Sequence, residues 1–260
     1  MKNLKIFASS MLCIAAVMSS CSNEVEAIVE QQDKATRAEA TELLTVTYNG
    51  VTYQNVPTSY DENGDFIFLD SKFAPIYEKE LANEENLSIN IKSADEIEFF
   101  KNLKANLESN GYDYNESEKE MTQGNANIST LDVGYEKLAR VELFENKNYG
   151  KLKLTYELTS QTISVAERRL HYQNFNDKCS SVKVYNNIPN DSTKTIQLGD
   201  YEYICSNVDA VFIGYEDKDY SKSSITFYAN PGTDAYIGDL GKFNDKMSSF
   251  KFFFAQKGHY

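Results

Sequence analysis

Two hexapeptides in the second half of the chain, NDKCSS at Asn176–Ser181 and NDKMSS at Asn244–Ser249, differ at one position and start 68 residues apart. Each concentrates one Asn, one Asp and two Ser, whose side chains bond readily to nearby backbone and so suit a turn or a strand cap. The same groups are rich in oxygen. A carboxylate, a hydroxyl and backbone carbonyls at short range are what a hard cation such as Ca2+ needs, since it takes six to eight oxygen ligands at about 2.3–2.6 Å. A second feature is also written twice: ENKNY at Glu145–Tyr149 and EDKDY at Glu216–Tyr220, 71 residues apart.

Other chemistry is poorly supplied. The chain has two histidines, His171 and His259, far apart and without a zinc motif, and Cys179 has no evident base partner. Acidic pairs are abundant, but abundance does not create the cleft that sets a glycosidase's two carboxyls apart. A hydrolase is therefore disfavoured and a non-catalytic protein expected. Asp61, Asn63 and Asp65 alternate like the start of an EF-hand loop, yet Phe66 occupies the place of its glycine and Lys72 that of its last Glu, so no EF-hand is expected.

The elements that must position the repeated residues are strands. The 18 Tyr and 15 Phe, with no Trp, favour sheet over helix. VELFENKNYGKLKLTYEL (Val141–Leu158) and VFIGYEDKDYSKSSITFYA (Val211–Ala229) each read as strand, polar turn, strand, and each hexapeptide runs into an alternating strand, VKVY or FKFFF. Such a unit cannot bury its own apolar face, so two copies are expected to pack as a sandwich.

On these motifs the segment 138–255 resembles a two-motif βγ-crystallin domain of the microbial, calcium-binding kind. Both hexapeptides meet that family's hook pattern, [N/D]-[N/D]-x-x-[S/T]-S, and both follow an aromatic–Glu turn region; Gly150 supplies the glycine usual after the turn's Tyr, whereas Ser221 stands there in the second copy. The resemblance implies four-strand Greek keys and two Ca2+ sites, each completed by a turn carbonyl from the other motif. Carried onto this chain, Glu216 joins Asp177, Lys178 and Ser180, while Glu145 joins Asp245, Lys246 and Ser248, the lysines through their carbonyls. Asn176, Ser181, Asn244 and Ser249 hold the loops by hydrogen bonds. NNIPNDSTKTIQLGDYEYICSN (Asn186–Asn207) is longer than a usual linker between motifs and has room for a hairpin.

The front half, 43–112, reads as a small α+β domain. Asn49-Gly50 and Asn63-Gly64 mark hairpin turns. SADEIEFFKNLKANLESNG predicts a helix capped by Ser93, with Ile97, Phe100, Leu103 and Leu107 on one face and Gly111 past its end. The polar stretch 113–137 reads as a linker.

At the N-terminus, Lys2 and Lys5 precede a short apolar run that ends in MSSC at Cys21. This is a secretion signal, too short to span a membrane stably. It is similar to a bacterial lipoprotein signal, with Met18 where that pattern has Leu. The similarity implies removal of residues 1–20, lipid on Cys21, a membrane partner through that lipid and, since no Asp follows Cys21, a place in the cell envelope at the outer membrane. Residues 21–42, polar and acidic, read as a flexible tether. Cys179 and Cys205 are then in a compartment that permits disulfides, and two alternatives stand: a Cys179–Cys205 bridge or two separate buried thiols. The formal net charge of -13 argues against a nucleic-acid partner. An alternative function is surface adhesion, with a protein or glycan ligand and a purely structural crystallin-like domain.

Overall fold

The computed structural model describes residues 42–61, 65–115 and 136–258. The signal 1–20, Cys21, nearly all of the tether and most of the 113–137 stretch lie outside the described residues. In the front half run β1 (Glu42–Tyr48), β2 (Val51–Tyr60), β3 (Phe66–Phe68), helix α1 (Ala74–Glu80), β4 (Ser88–Ser93), β5 (Glu96–Phe100) and helix α2 (Leu103–Ser109). The back half begins with β6 (Ala139–Asn146), β7 (Gly150–Leu158), β8 (Ser164–Glu167) and β9 (Ser181–Asn186). A hairpin follows, β10 (Thr195–Leu198) and β11 (Tyr201–Ile204), in the long stretch between the two copies. The second copy is β12 (Val208–Asp217), β13 (Ser221–Ala229), β14 (Asp234–Ile237) and β15 (Ser249–Gln256).

The strand order makes the back half a two-motif Greek-key sandwich. One sheet runs β14-β9-β6-β7, and the other ends β13-β12-β15-β8. Each motif thus lends its third strand to the other motif's sheet: β8 pairs with β15, and β14 with β9. The inner faces supply Val141, Leu143, Val182 and Val184 from one sheet and Phe212, Phe227, Phe250 and Phe252 from the other, all buried. Cys179 and Met247 occupy matching core positions. The larger Met fits because Gly214 stands opposite it: a Cβ there would lie 2.4 Å from the Met247 methyl carbon.

The front half continues the same sheet. Its full order is β3-β2-β1-β5-β4-β13-β12-β15-β8, with β4 and β13 parallel through Ser88↔Ser224 and Ile89↔Ile225. Polar side chains seal that junction: Ser224 Oγ donates to Ser88 Oγ at 2.9 Å, and Asn106 Nδ2 donates to the same oxygen at 2.9 Å. Both faces of β12 are apolar. Val211, Ile213, Phe253 and Ala255 lie on the face away from the sandwich core, where Leu107 and Tyr112 cover them. Burial of each such large side chain stabilises by about 1.5–3 kcal/mol, so a bare face would be costly.

The helix expected from Ser93 to Asn110 is confined to α2. Ala105 N–H donates to Asn102 Oδ1 at 2.9 Å, so Asn102 caps it rather than Ser93. Glu96–Phe100 is a strand because its alternation buries Ile97 and Phe99 between β1 and β4, and sheet partners on both sides outweigh helix propensity. The Asn49-Gly50 hairpin has both turn residues at positive φ, 51° and 74°. The Asn63-Gly64 turn lies outside the described residues.

Candidate functional site

The two hooks face each other. Asp177 N–H donates to Met247 O at 3.2 Å, and Asp245 N–H donates to Cys179 O at 3.0 Å. Both aspartates sit at positive φ, 52° and 55°, a conformation that Asp tolerates better than most residues. Behind each hook a short bond locks the start of the last strand to the end of the first. Ser180 N–H donates to Phe144 O, and Ser248 N–H to Tyr215 O, both at 2.9 Å.

These bonds decide how the oxygens group. Ser180 Oγ lies 2.7 Å from the Glu145 carbonyl oxygen and 2.9 Å from Asp245 Oδ1. A hydroxyl carries one proton, so it can donate to only one of these acceptors at a time. The other approach brings two lone-pair oxygens together without a proton. In the second copy Ser248 Oγ donates to Asp177 Oδ1 at 2.9 Å, and Glu216 lines the cleft they share. The sequence grouping put Ser180 with Asp177 and Glu216, and Ser248 with Asp245 and Glu145. In the structure the two serines change places. The first Ser of each hook is tied to its own motif's turn by the adjoining strand pair, while the Asp three residues earlier has already crossed to the other hook.

The remaining hook residues orient these oxygens. Asn176 Nδ2 donates to Asp177 Oδ2 at 2.5 Å, and Asn244 Nδ2 to Asp245 Oδ2 at 3.2 Å, leaving each Oδ1 for the serine. Ser181 Oγ donates to Asn146 O at 2.8 Å and accepts from Tyr149 N–H at 3.0 Å. Ser249 repeats this with Asp217 O at 2.6 Å and Tyr220 N–H at 3.1 Å. The lysine heads point elsewhere: Lys178 Nζ donates to Asn174 O at 3.1 Å, and Lys246 Nζ lies 3.3 Å from Asp65 Oδ1 in the front half.

The Glu145 carboxylate is engaged apart from its carbonyl. Lys151 and Lys153 lie 2.7 and 3.1 Å from it, and they hold its pKa below the ordinary carboxylate range. The Lys218 backbone N–H does the same for Asp217. Among the described residues no three His, Cys, Asp or Glu side chains converge, so a cation here would depend on carbonyls and hydroxyls as much as on carboxylates.

Sequence reasoning missed the clamps on the turns. Lys183 Nζ lies 4.3 Å from the Tyr149 ring centre, and Lys251 Nζ 4.4 Å from that of Tyr220. The shared Lys in VKVY and FKFFF was the signal. Both tyrosines hold positive φ, 62° and 61°, while neither Gly150 nor Ser221 does. The missing glycine at Ser221 therefore costs no backbone strain; Ser221 has φ of -119°.

Cys179 and Cys205 are separate, buried thiols. No bridge forms because they serve different elements: Cys179 fills the sandwich core before β9, and Cys205 opens the turn after β11, with its N–H on Lys194 O at 2.9 Å. Burial pushes both thiols' pKa values up.

No known protein family's pattern matches the chain, and no curated protein matches it. Two solved structures are similar to part of it. A βγ-crystallin from Ciona intestinalis is 19% identical, over 43% of this chain and 95% of its own, with a TM-score of 0.25. The N-terminal domain of protein S is 19% identical, over 44% of this chain and 93% of its own, also with a TM-score of 0.25.

Proposed function

We propose that this is a lipid-anchored, calcium-binding and non-catalytic protein of the cell envelope, in which Ca2+ ties the two Greek-key motifs together. The observation that carries the reading is the crowding at Ser180. Three oxygens, from Glu145, Ser180 and Asp245, meet with one proton among them, and a cation at their centre would relieve the repulsion. The first site would use the Glu145 carbonyl, Ser180, Asp245 and the Lys246 carbonyl. Its counterpart would use the Glu216 carbonyl, Ser248, Asp177 and the Lys178 carbonyl. Each set draws on both motifs, so its ligands are dispersed in the unfolded chain.

Calcium should therefore stabilise the folded state, by about 2.7 kcal/mol per site at a hundredfold excess over Kd. For a unit of this size that is a rise of roughly 5–10 °C in Tm per site. Asp177→Ala and Asp245→Ala should each remove part of the rise, and the double variant all of it. Magnesium should do little, because it demands near-octahedral geometry at shorter distances. The experiment is thermal melting in chelator, in millimolar Ca2+ and in millimolar Mg2+ at constant ionic strength. Equal melting temperatures and no calorimetric heat would leave the hooks as strand caps. Lipid on Cys21 is tested separately: Cys21→Ser should release the protein from membranes, and unchanged partitioning would count against an anchor.

A further inference from the structure

The front half supplies no ligand to either proposed site, yet it grips the loop that carries the second hook. Tyr60, at the end of β2, packs on Gly241: a Cβ there would lie 3.3 Å from the Tyr60 hydroxyl oxygen. Asp65, just before β3, lies 3.3 Å from Lys246 Nζ and 3.8 Å from Lys242 Nζ, both through Oδ1. Asp65 is itself held in place. Its N–H donates to Asp61 Oδ1 at 2.8 Å, and Asp61 N–H donates back to the Asp65 carbonyl at 3.0 Å. Two of the alternating polar residues that form no EF-hand thus fix a carboxylate beside the hook.

Lys242 and Lys246 flank Asp245 in sequence, and only 12% and 25% of their side chains are exposed. Lys246 also lines the cleft shared by Asp177, Asp245 and Ser248. Water screens such ammonium groups less than it would on an open surface. A divalent cation bound by Asp245 and the Lys246 carbonyl would be repelled by both unless a counter-charge offset them, and Asp65 is that counter-charge. The first hook is built differently. Asn174 takes the place of Lys242, and the exposed Lys178 donates to Asn174 O at 3.1 Å within its own loop. We propose that the front half sets the calcium affinity of the first site, with Asp65 as a positioning residue that neutralises Lys242 and Lys246 and holds the Lys246 ammonium. The second site, at Asp177 and Lys178, has no such dependence.

This inference rests on the calcium reading, and the test separates the two. Ca2+ is titrated calorimetrically into the full chain carrying Asp177→Ala, which keeps the first site, and into the chain carrying Asp245→Ala, which keeps the second. Adding Asp65→Asn should weaken the first site about three- to tenfold at low salt and leave the second unchanged. The loss should shrink in about 1 M salt, where the Debye length falls to about 3 Å. Adding Lys242→Met and Lys246→Met as well should restore the affinity, because no ammonium is left to offset. Asp65 is partly exposed, so Asp65→Asn by itself should hardly move Tm in chelator. A large fall would make Asp65 a structural residue and overturn the proposal. Calcium heat at the first site that is indifferent to Asp65→Asn would also overturn it and leave the metal reading standing. So would an equal loss at both sites, or a loss that the two lysine substitutions fail to restore. No calcium heat in the unaltered protein would overturn both.

Discussion

Replacing Ser181 or Ser249 by Ala separates the structural half of each hook from its oxygen-rich half. Each hydroxyl bridges the ends of a turn, accepting from the N–H of Tyr149 or Tyr220 and donating to the carbonyl of Asn146 or Asp217. Both serines are fully buried, while the carbonyl partners lie at the exposed end of a hairpin where water can replace the lost bond. The N–H groups belong to tyrosines at positive φ, a conformation that costs of order 1–3 kcal/mol unless its surroundings enforce it. Losing the pair of bonds should cost about 1–2 kcal/mol, or roughly 2–8 °C in Tm for a unit of this size. The drop should be the same in chelator and in calcium, since neither hydroxyl faces the hook aspartates. Ser180→Ala is the contrast. It removes one hydrogen bond to Glu145 O but also the crowding against Asp245, so its Tm in chelator should hardly move while the calcium-induced rise shrinks. Melting curves of the variants in both conditions decide the matter. A Ser181→Ala protein with wild-type Tm in chelator, or a Ser180→Ala protein that falls as far as Ser181→Ala there, would refute the division of roles.

Asp209 is fully buried on β12, 2.7 Å from Lys257 Nζ and hydrogen-bonded by the Tyr112 hydroxyl; burial outweighs both partners and raises its pKa. The unfolded carboxyl ionises first as pH rises above about 4, so this residue should lower stability with rising pH until its folded pKa is passed. The stability of wild type relative to Asp209→Asn, measured by denaturant unfolding from about pH 4 to 7, should therefore fall as pH rises; a rise would mean that attraction to Lys257 dominates. Cys179 and Cys205, buried with raised pKa values, should resist a thiol reagent in the native state and react on unfolding. A peptide map that links Cys179 to Cys205 would contradict the fold around both.

Much of the back half was legible because its signals are local and written twice. The alternation in β6, β7, β12, β13 and β15 and the polar hooks before β9 and β15 needed no partner to be recognised. Asn176 and Asn244 beside their aspartates, and Ser181 and Ser249 at the strand starts, act within a few residues of where the pattern puts them or on the adjoining hairpin. The front half misled where two periodicities overlapped. Glu96–Phe100 fits a helical face with Leu103 and Leu107, and only its neighbours β1 and β4 make it a strand.

The chain alone determined the strand repeat, the oxygen-rich hooks and the residue types that meet at each candidate site, since these follow from side-chain chemistry and short-range spacing. Tertiary structure decided which serine faces which aspartate, because that depends on the backbone bonds from Ser180 to Phe144 and from Ser248 to Tyr215. It also decided that β4 adds in parallel to β13 and that Leu107 and Tyr112 cover the outer face of β12. The apolar run in AVFIGY announces that both faces of that strand need burying, but not what buries them. Periodicity records how apolar a face is; its partner is chosen by packing between residues more than a hundred positions apart.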